Sequence, residues 1–260
     1  MKYTESENKN KDLSISKVAM SCDEKLTDNK GRLPPMPLCN RSGFLYLITG
    51  FSGSGKTTLL MNLISRKNKN GRKLSYRGCF DKVIFCSPSS HTIKSSVLDE
   101  LEHNYDAFDE ELLDLVEDMT DKHVEKAMKK GTEVKQTLLI LDDVGASIRN
   151  NKVLENRLNI LSNNRRHRRL SIIILGQQIY QIPPPIRKNT NMIFMYKPKT
   201  KKEKDILFDE FMELPKKDFN DFLDFVYQDK RDFLIIDMCM RDSADIVYYR
   251  NFNRLLIEKE

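Results

Sequence analysis

The chain has 260 residues, with 44 Lys and Arg against 38 Asp and Glu for a formal charge of +6, and 39% of it is hydrophobic. A mean hydropathy of -0.55 and the lack of any apolar run of bilayer length exclude a helical membrane protein; the length suits one α/β domain with a full core. The moderate positive charge permits nucleic-acid contact without demanding it. Cys22, Cys39, Cys79, Cys86 and Cys239 are odd in number and scattered, with no CxxC pair, and so indicate neither a disulfide framework nor a zinc site.

Residues 1–40 are polar, rich in Lys, Asn, Ser and Glu, and contain Pro34-Pro35-Met36-Pro37. This composition predicts a mostly disordered arm and extended connector, with one folded domain over residues 41–260. The opening MKYTESENKNKDLS lacks the apolar core of a secretory signal, so a cytosolic protein is expected.

The β-branched and aromatic run 44–49 predicts a strand, and Leu59, Leu60, Leu63 and Ile64 mark the apolar face of a helix. Between them, Gly50, Ser52, Gly53, Ser54, Gly55, Lys56, Thr57 and Thr58 carry the P-loop spacing. Glycines let successive backbone N–H groups turn toward phosphate oxygens at the positive end of the helix. Lys56 supplies a charge for the β- and γ-phosphates, and the Thr57 hydroxyl is a hard oxygen ligand suited to Mg²⁺. ATP and Mg²⁺ are therefore the expected cofactors.

Arg66, Lys67, Lys69, Arg72 and Lys73 predict a solvated basic loop, and Lys82–Cys86 a strand ended by Ser87 and Pro88. One helix is expected over 96–130, burying Leu98, Leu101, Phe108, Leu112, Leu115 and Val116. Its acid-rich surface would repel DNA phosphates. Next, the apolar run 137–141 enters Asp142-Asp143, as in a Walker B strand at the ligand-binding end of a parallel sheet. Asp142 is expected to hold Mg²⁺ through water, and Asp143 to orient or deprotonate the attacking water.

Residues 152–164 read as a helix with Val153, Leu154, Leu158 and Leu161 on one side. Arg165-Arg166-His167-Arg168-Arg169 follows, then a strand over 170–175 whose end presents Gln177, a candidate γ-phosphate sensor. Pro183-Pro184-Pro185 breaks the chain before Ile186-Arg187-Lys188-Asn189-Thr190-Asn191 and a strand at 192–196. Two helices are expected at 199–212 and 216–227, the second burying Phe219, Phe222, Leu223 and Phe225, and two strands at 233–237 and 246–249.

In this order the P-loop, the LLILDD strand, RRHRRLSIIILGQ and IPPPIRKNTN resemble the genome-packaging ATPases of large DNA viruses and virophages, within the FtsK/HerA superfamily. The resemblance covers residues 44–196, more weakly the last strands, and says nothing of the first forty. It implies a RecA-like α/β fold, a mainly parallel sheet flanked by helices with the Walker B strand not beside the P-loop strand. It also implies a homo-oligomeric ring around double-stranded DNA, a capsid or portal-site protein as partner, no membrane, and a place in the host cytoplasm at viral factories and in the virion. Gln177 matches the family's sensor glutamine, and Arg166 and Arg187 are the two candidates for a sensor or a finger reaching the neighbouring subunit. The run 165–169 reads equally as a DNA-facing patch or a solvated turn.

A small-molecule kinase would use the same P-loop, but no acceptor site is spelled out. A nucleotide-switched assembly protein would have no use for an intact Asp142, Asp143 and Gln177.

Overall fold

A computed structural model describes residues 24–65, 75–89, 103–239 and 246–257. Its strands are β1 (Leu45–Thr49), β2 (Lys82–Cys86), β3 (His103–Tyr105), β4 (Thr137–Asp142), β5 (Leu170–Gly176), β6 (Met192–Tyr196), β7 (Phe233–Asp237), β8 (Val247–Arg250) and β9 (Asn253–Arg254). The helices are α1 (Lys56–Ser65), α2 (Glu110–Lys130), α3 (Gly145–Asn150), α4 (Lys152–Asn164), α5 (Pro184–Lys188), α6 (Lys201–Phe211) and α7 (Phe219–Val226). All strands join one sheet in the order β3-β2-β4-β5-β1-β6-β7-β8-β9. From β3 to β6 neighbours run parallel, and β7 to β9 are added antiparallel. As expected, β5 separates the Walker B strand β4 from the P-loop strand β1.

Every residue of β1, β4 and β5 is buried, because helices or chain segments cover both faces of the sheet. Alternate side chains divide between two cores. Leu47, Leu139, Leu141, Ile172 and Ile174 join residues of α2, α4, α6 and α7 on one face. Tyr46, Ile48, Ile140, Ile173 and Leu175 face the other way, where α1 alone of the described helices contributes, through Leu59, Leu60 and Leu63.

That second face is completed by chain assigned above to the arm and connector. Leu26, Leu38 and Cys39 are buried against Phe44, Tyr46 and Tyr76. The Tyr76 hydroxyl bonds the Tyr46 hydroxyl at 2.6 Å and donates to the Cys39 carbonyl at 2.9 Å, while the Cys39 N–H donates to the Tyr46 oxygen at 2.7 Å. Residues 24–40 are thus part of the domain; residues 1–23, Cys22 among them, lie outside the described residues. Cys39, Cys79, Cys86 and Cys239 are buried thiols outside any disulfide.

Other boundaries also differ from expectation. β3 occupies residues 103–105, paired with β2, so the helix expected from residue 96 begins at Glu110, where Asp109 caps it through Leu112 N–H at 2.9 Å. Leu98, Leu101 and the basic run 66–73 lie outside the described residues. Val153 and Phe225 are exposed, and Val226 is buried in place of Phe225. The proline run does not simply break the chain: Pro184 and Pro185 open α5, where their missing N–H groups cost nothing. No helix among the described residues is long and apolar enough to cross a membrane.

Candidate nucleotide site

The register Thr49 to Gly176, Leu175 to Asp142 and Leu141 to Cys86 aligns the carboxyl ends of β1, β5, β4 and β2 in one row. Gly50 N–H donates to Gly176 O and Asp143 N–H to Leu175 O, both at 3.2 Å, which locks the loops leaving these strands to one another. The P-loop, Asp142, Asp143 and Gln177 therefore share one edge of the sheet.

Within the P-loop, a Cβ on Gly50 would lie 2.7 Å from Tyr196 Cβ and 2.9 Å from Ser54 Oγ. Gly55, at φ +114°, would put a Cβ 3.1 Å from Tyr196 Oη. Tyr196, at the end of β6, is the floor on which the loop curls, and only glycine admits that approach. Lys56 donates to Gly50 O at 2.7 Å and Phe51 O at 3.2 Å. Burial lowers its pKa, opposed by the carboxylates of Asp142 and Asp143, so the three charges share one electrostatic neighbourhood.

Asp142 is buried, and its Oδ2 accepts a hydrogen bond from Ser87 Oγ at 3.3 Å. Burial raises its pKa, Asp143 adds to the rise, and Ser87 and Lys56 oppose it. Ser87 was read only as a strand end; its one sequence signal is that it directly follows an apolar strand, as Asp142 does. Asp143 is exposed in the left-handed region at φ 55°, a conformation aspartate tolerates better than most residues. Gln177 Nε2 donates to its two carboxylate oxygens at 3.3 and 3.1 Å.

The hydroxyl of Thr57 at the start of α1 and the half-engaged carboxylate of Asp142 are hard oxygen donors of the kind Mg²⁺ takes, few enough to leave room for water and phosphate oxygens. Ser52, Gly53 and Thr58 are exposed on the same loop and helix, and Ser54 is buried beneath it.

The arginine candidates lie elsewhere. Arg166 is exposed on the turn before β5, at the opposite end of that strand from Gln177. Its backbone is crowded by Gly43, where a Cβ would meet Arg166 Cα at 2.7 Å. Arg187 is buried, and its guanidinium grips both oxygens of Glu210 on α6 and donates to Ile182 O at 2.6 Å. Of the two roles expected for Arg187, sensor or finger, a buried guanidinium with its donors spent within the chain suits the sensor better than a finger presented to a neighbour.

The run 165–169 is neither a uniform patch nor a solvated turn. Arg165 is buried and donates to Ser162 O, Asn189 O and Asn191 Oδ1 at 2.5, 2.9 and 3.0 Å; burial lowers its pKa to about 10. Asn191 Oδ1 also accepts from Leu45 N–H at 2.9 Å, so the two basic motifs meet at the start of β1. Arg168 pairs with Asp121 of α2 at 2.7 Å, and Arg169 is buried against Glu24 at 2.6 Å.

A family model of the poxvirus A32 protein matches residues 38–255. The chain belongs to this family. Among solved structures, this A32-family chain is similar to B204, the DNA-packaging ATPase from Sulfolobus turreted icosahedral virus, at 15% identity and a TM-score of 0.50, over 80% of this chain and 97% of that one. It is also similar to the cytoplasmic domain of the type VII secretion ATPase EccC from Thermomonospora curvata, at 14% identity and a TM-score of 0.49, over 87% of this chain and 28% of that one. No curated protein matches. The likeness to B204 bears on the fold. The family match runs on through β7 and β8 and begins inside the connector.

Proposed function

We propose that this A32-family chain is a Mg²⁺-dependent ATPase that moves double-stranded DNA into a viral capsid, working as a homo-oligomeric ring in the host cytoplasm. The observation that carries the reading is the alignment of Lys56, Asp142, Asp143 and Gln177 along one sheet edge in the strand order of a RecA-like motor. The solved relative B204 is described as a DNA-packaging ATPase, which supports carrying the same task over to this family member.

In this mechanism the P-loop N–H groups and Lys56 grip the β- and γ-phosphates, Lys56 exchanging its bonds to Gly50 O and Phe51 O for phosphate oxygens. Thr57 and Asp142 would hold Mg²⁺, which when bound neutralises charge on the phosphate oxygens. Asp143 orients the attacking water and accepts its proton, and Gln177 holds that carboxylate in place. Gln177 would also answer to the γ-phosphate, since a bond to it competes with the bonds to Asp143. Arg166 is a strand's length from its own P-loop, so as a finger it acts on a neighbour's nucleotide, as a head-to-tail ring requires. A motor that passes any sequence holds DNA through phosphates.

The test is steady-state ATP hydrolysis with and without long double-stranded DNA over a salt series. Stimulation that fades with rising salt is expected. Hydrolysis indifferent to DNA would overturn the motor reading and move attention to small acceptors or a nucleotide switch. Mixing Arg166→Ala with Asp143→Asn chains tests the finger: partial recovery at mixed interfaces is expected, and no recovery at any ratio removes Arg166 from that role.

A further inference from the structure

Nothing above assigns a place for the base of the nucleotide. A cavity of about 520 Å³ is lined by Gly53 and Thr58, by Asn62 of α1, and by Tyr196, Arg231 and Phe252. Its volume suits a ligand larger than a phosphate chain. Its lining combines the P-loop with aromatic rings and the guanidinium of Arg231.

Phe252 is out of place by the rules of its own turn. Arg250 pairs with Asn253, so Asn251 and Phe252 form a two-residue hairpin loop, at φ 50° and 76°. Both values belong to the left-handed region, where the second position of such a turn is the natural site of glycine and a bulky aromatic is strained. The strain is held by neighbours. Asn251 Oδ1 accepts from Phe233 N–H at 3.0 Å, its Nδ2 donates to Asp232 Oδ1 at 2.5 Å, and Arg250 bonds Asp232 Oδ2 at 2.8 Å. The Phe252 ring meets Phe233 edge-on, with centroids 5.4 Å apart at 82°, and remains 38% exposed. A braced, strained backbone that sets a half-exposed ring at the mouth of a cavity indicates selection for what the ring touches.

We propose that Phe252 is the stacking face for the nucleobase, with Tyr196 and Arg231 bounding the same pocket; this rests on the nucleotide-binding reading of the P-loop. Stacking tolerates any base, because every base offers a π-face. Phosphates gripped by the loop and a base lying on Phe252 would share this one cavity.

The chain has no tryptophan, which gives a direct probe. The indole of Phe252→Trp should change its fluorescence on titration with ATP and not with inorganic tripolyphosphate. In calorimetry, Phe252→Gly, which also relieves the backbone, should weaken ATP about ten-fold or more, with tripolyphosphate affinity within about two-fold of the parent and Phe252→Tyr close to the parent. Unchanged tripolyphosphate binding also reports that the variant is folded. ATP affinity untouched by Phe252→Gly, in a protein where Lys56→Ala abolishes binding of both ligands, would overturn the base site alone. Binding of both ligands unaffected by Lys56→Ala would overturn the P-loop reading and the base site with it.

Discussion

Gln177 donates from one amide nitrogen to both carboxylate oxygens of Asp143, across the gap between the ends of β5 and β4. The carboxylate proposed to orient water is thereby aimed by a side chain from the neighbouring strand. Gln177→Ala should lower hydrolysis about ten- to a hundred-fold with nucleotide affinity within about two-fold. Gln177→Glu loses the amide donor and places a like charge beside Asp143, and should lower hydrolysis at least as far as Gln177→Ala. Hydrolysis unchanged in both variants would argue against the contact in solution.

Asp142 makes a stability prediction opposite in sign to its proposed function. Burial holds its pKa above the ordinary value of about 3.9, so the folded state keeps the proton more tightly than the unfolded chain does. Its contribution is full below that ordinary value and is lost as pH rises through the folded pKa. Asp142→Asn should therefore gain stability relative to the parent as pH rises above about 4, while hydrolysis is lost. Urea midpoints at several pH values, read beside the ATPase rate, check both halves.

Arg187 is buried and its partner Glu210 reaches solvent, so removing Arg187 costs its packing and its hydrogen bonds and leaves the Ile182 carbonyl without that donor. Arg187→Ala should cost about 1–3 kcal/mol of stability, measured by urea unfolding. Arg187→Lys keeps the charge but loses the two-pronged grip and should fall between. A fully stable Arg187→Ala variant with lost hydrolysis would return Arg187 to the finger candidates.

Tyr76→Phe removes one hydroxyl from between Tyr46 and the Cys39 carbonyl. Unsatisfying that buried carbonyl should cost about 1–3 kcal/mol. Because the bond fastens residues 24–40 to the second face of the sheet, hydrogen exchange should quicken at Leu26 N–H, which bonds Asn40 O at 2.7 Å.

How much was legible in the sequence follows from the range over which each feature is determined. The P-loop, the strand into Asp142-Asp143 and the strand into Gln177 are local: spacing, apolar runs and turn residues specify them within about twenty residues, and the structure brings them to one edge as parallel strand ends must lie. Helix α2 was legible only in part, because β3 is three residues long and held by its pairing with β2. Leu26 and Leu38 carried no periodic signal, since single apolar residues in a polar segment count only once a sheet face waits for them.

The charged motifs show the division most clearly. Arginines in a run look alike in sequence, yet Arg165 and Arg169 are buried, Arg168 pairs with α2 and Arg166 faces solvent. The same holds for Phe252, whose ring reaches the P-loop cavity only through a hairpin turn far along the chain. Sequence alone determined the P-loop turn and the strand ends beside it, because backbone curvature and residue type act over a few neighbours. Tertiary structure alone decided which charges are buried, which carboxylate Gln177 aims, and what covers the second face, because each depends on groups brought together from distant parts of the chain.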